Sequence, residues 1–184
     1  KLVGSGEVAG PAREALALTL VAGGTEDDLR AVLQTDRPSA GLLRMLKEHD
    51  RPRFDVMPPL GRALRHPRTE ERVAAVELAA RWKVMELYNP VVKIARDPAV
   101  PAQLREAALR ALGSLGSGKT IELLQEAVGS GGDIQPAALA AILELDAGKG
   151  ARCAATILQE LKDTGKIATI LSDFAGREGA PALL

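Results

Sequence analysis

Aromatic residues are scarce in this chain, which has one Trp, one Tyr and two Phe among its 184 residues. Surfaces that stack nucleic-acid bases, and most small-molecule pockets, depend on aromatic side chains, so both kinds of site have little to be built from. β-branched residues are also sparse beside Ala and Leu. This composition favours helices over strands.

Cysteine, long apolar runs and net charge are lacking as well. The single cysteine, Cys153, excludes an internal disulfide and a cysteine-based metal or haem site, although it leaves the redox compartment open. No run of about 18 apolar residues occurs, so we predict no membrane insertion. Lys and Arg number 24 together, as do Asp and Glu, so no overall field steers the chain toward nucleic acid or an acidic membrane.

The stretch GSLGSGKT at residues 113–120 fits the phosphate-binding pattern G-x-x-x-x-G-K-[ST]. In nucleotide hydrolases this loop follows a buried strand and opens a helix, so that its N–H groups converge on phosphate. Here the preceding apolar residues have the helical spacing i, i+3, i+4, i+7, i+8, i+11 instead. They are Leu104, Ala107, Ala108, Ala111, Leu112 and Leu115.

We therefore interpret Gly113, Gly118, Lys119 and Thr120 as a false match to the nucleotide loop. Gly113, Gly116 and Gly118 are predicted to form a helix end and a turn that needs positive φ. Lys119 and Thr120 are predicted to begin the next helix on the surface.

The same apolar stripe occurs three times. The stripe from Ile134 to Leu145 repeats the spacing, and so does the one from Glu71 to Trp82, in which Glu71 is polar. The stripes begin at residues 71, 104 and 134, so the intervals are 33 and 30 residues. A repeat of this length is typical of stacked supersecondary units.

The predicted fold is all-α: a right-handed α-α superhelix, or solenoid, of about six antiparallel helix pairs in a single array over 1–184. The predicted pairs are 11–34, 39–66, 68–96, 100–128, 133–161 and 164–184, of which the last is truncated. Thr25 with Asp28 forms an acidic variant of the capping box, and Asn89 and Asp133 are predicted N-caps.

The stretch RDPAVPAQLREAALRALGSLGSGKTIELLQEAV, residues 96–128, resembles a HEAT-like repeat of the short type. The similarity lies in Asp97 in the turn, Arg105 early in the helix, and the Ala107–Gly113 segment. Arg72 repeats the arginine position upstream, whereas Pro136 replaces it downstream. The resemblance implies that Asp97, Arg72 and Arg105 are structural repeat residues in an armadillo-like scaffold for protein–protein interaction.

In composition and ending, the chain also resembles the helical segment of certain large multidomain bacterial proteins. These join a sorbosone-dehydrogenase-like β-propeller, HEAT-like repeats and a c-type cytochrome module. That resemblance implies an exported or periplasmic parent and no redox chemistry in this segment, which has no C-x-x-C-H motif. The apolar residues from Ala180 to Leu184 lead us to expect that the natural protein continues.

The strongest binding signal is a basic cluster between Arg51 and Arg72. Its members are Arg51, Arg53, Arg62, Arg65, Arg68 and Arg72. The first five could form a surface for phosphate or for an acidic protein face, with Arg72 as a structural residue. The alternative is an ordinary solvated face.

Other reactive residue types form no catalytic or metal-binding pattern. His49 and His66 lie at predicted helix ends without acids at metal-ligand spacing. The acid pairs Asp27–Asp28 and Glu70–Glu71 fall in predicted first turns, where negative charge offsets the helix dipole. Cys153 flanks an apolar stripe, as a half-buried structural thiol would.

The sequence thus favours a non-catalytic interaction or spacer scaffold within a larger multidomain protein. Its expected partner is protein, in the first place neighbouring domains of the same chain, and we expect no cofactor, metal or nucleic acid. One alternative is a phosphate- or nucleic-acid-binding module that uses the basic cluster. Another is an accessory segment of an exported dehydrogenase or cytochrome-type electron-transfer protein. An enzyme ranks last, because no nucleophile–base or metal constellation is present.

Overall fold

The computed structural model describes residues 10–35, 38–116 and 119–160, and all regular structure within these ranges is helical. The predicted all-α fold class is therefore confirmed. The described α-helices are α1 (Gly10–Gly23), α2 (Glu26–Leu33), α3 (Ala40–Leu46), α4 (Met57–Ala63), α5 (Thr69–Arg81), α6 (Tyr88–Arg96), α7 (Ala102–Leu115), α8 (Thr120–Gly129), α9 (Gln135–Leu145) and α10 (Ala147–Glu160). A short 3-10 helix, Met85–Leu87, precedes α6.

The chain divides into two compact units, the first ending at Val91 and the second beginning at Val92. The single continuous array over 1–184 stays a prediction. The predicted last pair, 164–184, lies outside the described residues.

In the first unit, α1 packs against α2 and α3, while α5 packs against α3 and α4. Side chains about one repeat apart in sequence tie these helices together. The indole Nε1 of Trp82 donates to the carbonyl of His49 at 2.9 Å, and Lys47 Nζ lies 2.8 Å from Glu77 Oε2. Contact between successive supersecondary units is how stacked repeats build one core, since no single unit can bury its apolar face.

In the second unit, α9 is the central helix and packs against α7, α8 and α10. The predicted stripe of α7 is buried, with Leu104 and Leu112 fully inaccessible to solvent. Ser114 Oγ of α7 donates to Glu144 Oε1 of α9 at 2.6 Å, again across one repeat length. The prediction of an inward-facing stripe from Leu104 to Leu115 is confirmed.

Gly113 lies inside α7, so its predicted place in a positive-φ turn is wrong. The glycine is buried, and a Cβ atom there would lie 3.2 Å from Ala141 Cα and 2.5 Å from Glu144 Oε2. Its missing side chain allows α7 to approach α9 closely. Helix α7 continues through Gly113 to Leu115 because this tertiary packing outweighs the low helix propensity of glycine.

The helix caps follow the predictions only in part. Thr25 is the N-cap of α2 as predicted, and its hydroxyl accepts from the Asp28 N–H at 3.2 Å. The prediction for Asn89 is wrong, because α6 continues directly from the 3-10 helix and includes Asn89 in its first turn. The prediction for Asp133 is also wrong, since Ile134 is the N-cap of α9.

Replacement of Gly150 by alanine should destabilise the protein by about 1–3 kcal/mol through overpacking. Gly150 is buried in α10, and a Cβ atom there would lie 2.9 Å from the Cα and 2.5 Å from the Cδ2 of Leu143 in α9. Gly61 in α4 is the control, because a Cβ atom there meets no atom within 4 Å. Gly61→Ala should stabilise by about 0.5–1 kcal/mol through helix propensity.

Urea unfolding followed by circular dichroism measures both glycine variants. Shifts of the same sign and size would contradict the close packing of α10 on α9.

Candidate interaction surface

The five arginines of the predicted surface all have exposed side chains in the first unit. Arg51 and Arg53 lie in the connection between α3 and α4, and Arg62 lies in α4. Arg65 follows α4, and Arg68 is the N-cap of α5. The five arginines therefore lie before, within and after α4, and they do not form a stripe on one face of a single helix.

Two of these arginines already have acidic partners. Arg68 Nη2 lies 2.8 Å from Glu71 Oε1, and Arg51 Nη2 lies 3.9 Å from Glu86 Oε1. Arg62 and Arg65 form no ion pair with any residue of the described ranges. The charge available for a partner is thus smaller than the sequence suggests.

Arg72 and Arg105 contact backbone carbonyls at the end of the preceding helix. Arg72 Nε donates to the carbonyl of Leu64 at 3.1 Å, and Arg105 Nε donates to that of Ala95 at 3.4 Å. Both side chains are half-buried, and a cation at a helix C-terminus satisfies carbonyls that have no partner within the helix. Asp97 Oδ1 accepts from the Ala99 N–H at 2.9 Å within the turn. Their role as repeat-defining residues stays a prediction.

A surface pocket of about 280 Å³ brings Arg62 together with an arginine outside the cluster. We call it the Arg30–Arg62 pocket. It is lined by residues from α2, from α4 and from the segment before α4, namely Arg30, Leu33, Gln34, Phe54, Asp55, Pro58, Pro59 and Arg62. In the predicted helix pairs 11–34 and 39–66, α2 and α4 are the second helices, so under that prediction the pocket spans two successive pairs.

Contacts with nearby residues position the charged side chains that line the pocket. The guanidinium of Arg30 lies 5.1 Å from the centre of the Phe54 ring, which is within the range of a cation–π contact. Asp55 Oδ1 accepts from the Met57 N–H at 2.9 Å at the start of α4. Asp27 Oδ1 lies 3.8 Å from Arg30 Nη1, but the Asp27 side chain is 94% exposed.

Arg30 was missed in the sequence because it lies well upstream of the basic cluster. A signal for it does exist, since Arg30 and Arg62 are 32 residues apart. This separation falls between the 30- and 33-residue intervals of the apolar stripes. Equivalent positions of successive repeats lie side by side, so a charge repeated at this interval indicates a shared surface.

Glu71 is buried between the end of α4 and the start of α5. Its side chain is 4% exposed, and one oxygen, Oε1, is paired with Arg68. The other oxygen, Oε2, has no hydrogen-bond partner and lies 3.7 Å from His66 Nδ1. That nitrogen already accepts from the Arg68 N–H at 3.2 Å. Glu71 lies in the first turn of α5, as predicted. Because its carboxylate is removed from solvent, interaction with the helix dipole does not by itself explain why an acidic residue occupies this position.

The nucleotide-loop pattern begins inside helix α7, at Gly113, rather than after a strand. Lys119 is the exposed N-cap of α8, whereas Thr120 is fully buried, so the prediction that Thr120 lies on the surface is wrong. Thr120 packs inward as the first residue of α8. Gly118 lies outside the described residues, and the false match stays a prediction.

Metal-binding clusters and membrane-spanning helices are both absent from the described ranges. No group of three or more His, Cys, Asp or Glu residues there is arranged to hold a metal ion. No helix among the described residues is long and apolar enough to cross a membrane. Cys153 is half-buried in α10.

Comparison with known proteins identified one family. Residues 57–146, from the start of α4 to the residue after α9, match the protein-family model for HEAT repeats. A search of curated proteins and a search of solved structures each found no significant match. The match agrees with the α-α solenoid class that the sequence predicted. Over residues 57–146, the chain is therefore similar to HEAT repeats.

Proposed function

We propose that this chain is a non-catalytic module for protein–protein interaction or for spacing neighbouring domains. HEAT repeats generally mediate interaction or scaffolding, and residues 57–146 match them. The observation that carries the proposal is the stacking of helix pairs within each unit, shown by the Trp82–His49 and Ser114–Glu144 bonds. Stacked pairs present an extended surface to a macromolecular partner.

The proposed partners are neighbouring domains of the same polypeptide. In a parent that carries a propeller and a cytochrome module, the helix pairs would act as an exported spacer and contribute no chemistry of their own. The resemblance to such proteins motivates this form of the proposal.

A phosphate- or nucleic-acid-binding module is the second candidate, supported by the unpaired, exposed Arg62 and Arg65. Two observations weigh against it. Arg51 and Arg68 are paired with Glu86 and Glu71, which lowers the positive potential of the cluster. One face of Phe54 is occupied by Arg30, so it is not free to stack a base. Oligonucleotide binding that weakens steeply with salt would favour this candidate over the first.

Chemical cross-linking of the full gene product, purified from its own cells and followed by mass spectrometry, tests the scaffold proposal. We expect cross-links from exposed lysines, such as Lys93 and Lys119, to residues outside 1–184 in the same or another polypeptide. Cross-links within 1–184 are the control for lysine reactivity. Abundant internal links without any link to an outside residue would contradict the proposal.

A further inference from the structure

We propose that the Arg30–Arg62 pocket binds a short acidic segment of a protein partner. A carboxylate of that segment pairs with the two guanidinium groups, and an adjacent apolar side chain packs on the prolines of the lining. This assignment rests on the proposed interaction function and adds to it the place of contact and the chemistry of the partner.

The charges of the pocket favour a carboxylate ligand. Arg62 has no ion pair with any described residue, and the ion pair that Arg30 forms among the described residues is with the highly exposed Asp27 at 3.8 Å. An exposed ion pair at this distance contributes little to stability, so an incoming carboxylate can displace Asp27 from Arg30. Asp55, the acidic residue of the lining, already accepts from the Met57 N–H. Arg30 and Arg62 line the same pocket, and guanidinium groups are suited to charge-assisted hydrogen bonds with a carboxylate.

The remaining lining is apolar and largely fixed. Leu33 and Pro59 are buried, and Phe54 is half-buried beneath the guanidinium of Arg30. Contact with the ring restricts the Arg30 side chain before a ligand arrives, which reduces the conformational entropy lost on binding. The side-chain amide of Gln34 is part of the same lining and can bond to a peptide backbone.

The size of the pocket and the position of Arg30 over Phe54 favour a peptide over a nucleotide or a nucleic-acid strand. Its volume of about 280 Å³ is at the lower limit of small-molecule sites, which span about 300–1,000 Å³. It therefore holds one or two side chains rather than a nucleotide. Because Arg30 covers the Phe54 ring, the base stacking on which single-stranded nucleic-acid sites depend is blocked on that face.

Fluorescence anisotropy with seven-residue peptides tests the assignment on the full 184-residue chain. The probes carry two central glutamates flanked by leucine or phenylalanine, and matched peptides carry glutamine instead. We expect the glutamate peptides to bind and the glutamine peptides to bind at least about tenfold more weakly. Amide and arginine Nε signals of Arg30, Phe54 and Arg62 should shift in NMR spectra on titration.

Arg62→Gln should weaken peptide binding at least about tenfold, because one of two charge-assisted bonds is lost. Arg65→Gln is the matched control, since Arg65 is also exposed, belongs to the same cluster and lies outside the pocket. Its effect should stay within about twofold. Both variants should keep the circular dichroism spectrum and the thermal midpoint of the parent chain.

Three results would overturn the assignment. The first is an equal loss of affinity in the two variants, which would indicate diffuse charge. The second is displacement of the peptide by inorganic phosphate or by a single-stranded oligonucleotide. The third is absence of binding by every glutamate peptide; if cross-links to an outside partner are nevertheless found, the scaffold function stands and only the pocket assignment fails.

Discussion

Truncation of Leu112 to alanine is expected to lower the free energy of unfolding by about 2–5 kcal/mol. Leu112 is in the middle of α7, is fully inaccessible to solvent and belongs to the stripe that packs toward α9. The surroundings cannot collapse easily into the space left behind, because Gly113 already brings the two helices into close contact. The cost combines the lost transfer free energy of the side chain with the cavity that remains.

Lys119→Ala is the control for this measurement. Lys119 is exposed at the N-cap of α8 and its side chain makes no capping hydrogen bond, so its truncation should change stability by no more than about 0.5 kcal/mol. Chemical denaturation with the midpoint read from far-UV circular dichroism separates the two variants. Equal shifts in both would mean that the inside and outside of α7 and α8 are assigned incorrectly.

The helices and the core could be predicted because they depend on local periodicity. The stripe from Leu104 to Leu115 has the spacing of one helix face, and the structure buries it. The N-cap at Thr25 was also predictable, since Thr25 and Asp28 interact within a single turn. Such features need no knowledge of where other segments lie.

Features that depend on neighbouring helices could not be predicted in the same way. Gly113 has a strong turn propensity, yet it is helical because α7 packs closely on α9 there, where a Cβ atom on Gly113 would lie 3.2 Å from the Cα of Ala141. Asn89 is in the first turn of α6 because the 3-10 helix before it supplies the preceding turn. For both residues, contacts in the folded protein outweigh the conformation that the neighbouring sequence favours.

The candidate surface was predicted only in part for a related reason. A run of arginines in sequence indicated the region, but pairing with the buried carboxylate of Glu71 at 2.8 Å removes Arg68 from it. Arg30 joins Arg62 because α2 and α4 line the same pocket, and proximity in sequence gives no sign of this. Periodicity of charge, at the same interval as the apolar stripes, is the signal that identifies such a pair.

Arg68→Ala is expected to destabilise the first unit by about 2–3 kcal/mol, although Arg68 is 73% exposed. Truncation of an exposed arginine usually lowers the free energy of unfolding by much less than this. Here its side chain pairs with the buried carboxylate of Glu71, at 2.8 Å from Oε1. His66 cannot replace it, because its Nδ1 already accepts from the Arg68 N–H and lies 3.7 Å from Oε2. The variant retains that N–H, so only the guanidinium is removed.

Glu71→Met should be neutral or stabilising, since it replaces a buried charge with an apolar side chain of similar length. Glu71 occupies the first position of an apolar stripe, and its Oε2 has no hydrogen-bond partner, so the methionine removes a group that is costly to bury. In the Glu71→Met background, Arg68→Ala should cost less than about 0.5 kcal/mol, because the carboxylate that required the arginine is gone. A double-mutant cycle by urea denaturation measures this coupling. If Arg68→Ala costs the same in both backgrounds, the buried carboxylate does not depend on Arg68, and the effect of the arginine lies in its packing at the start of α5.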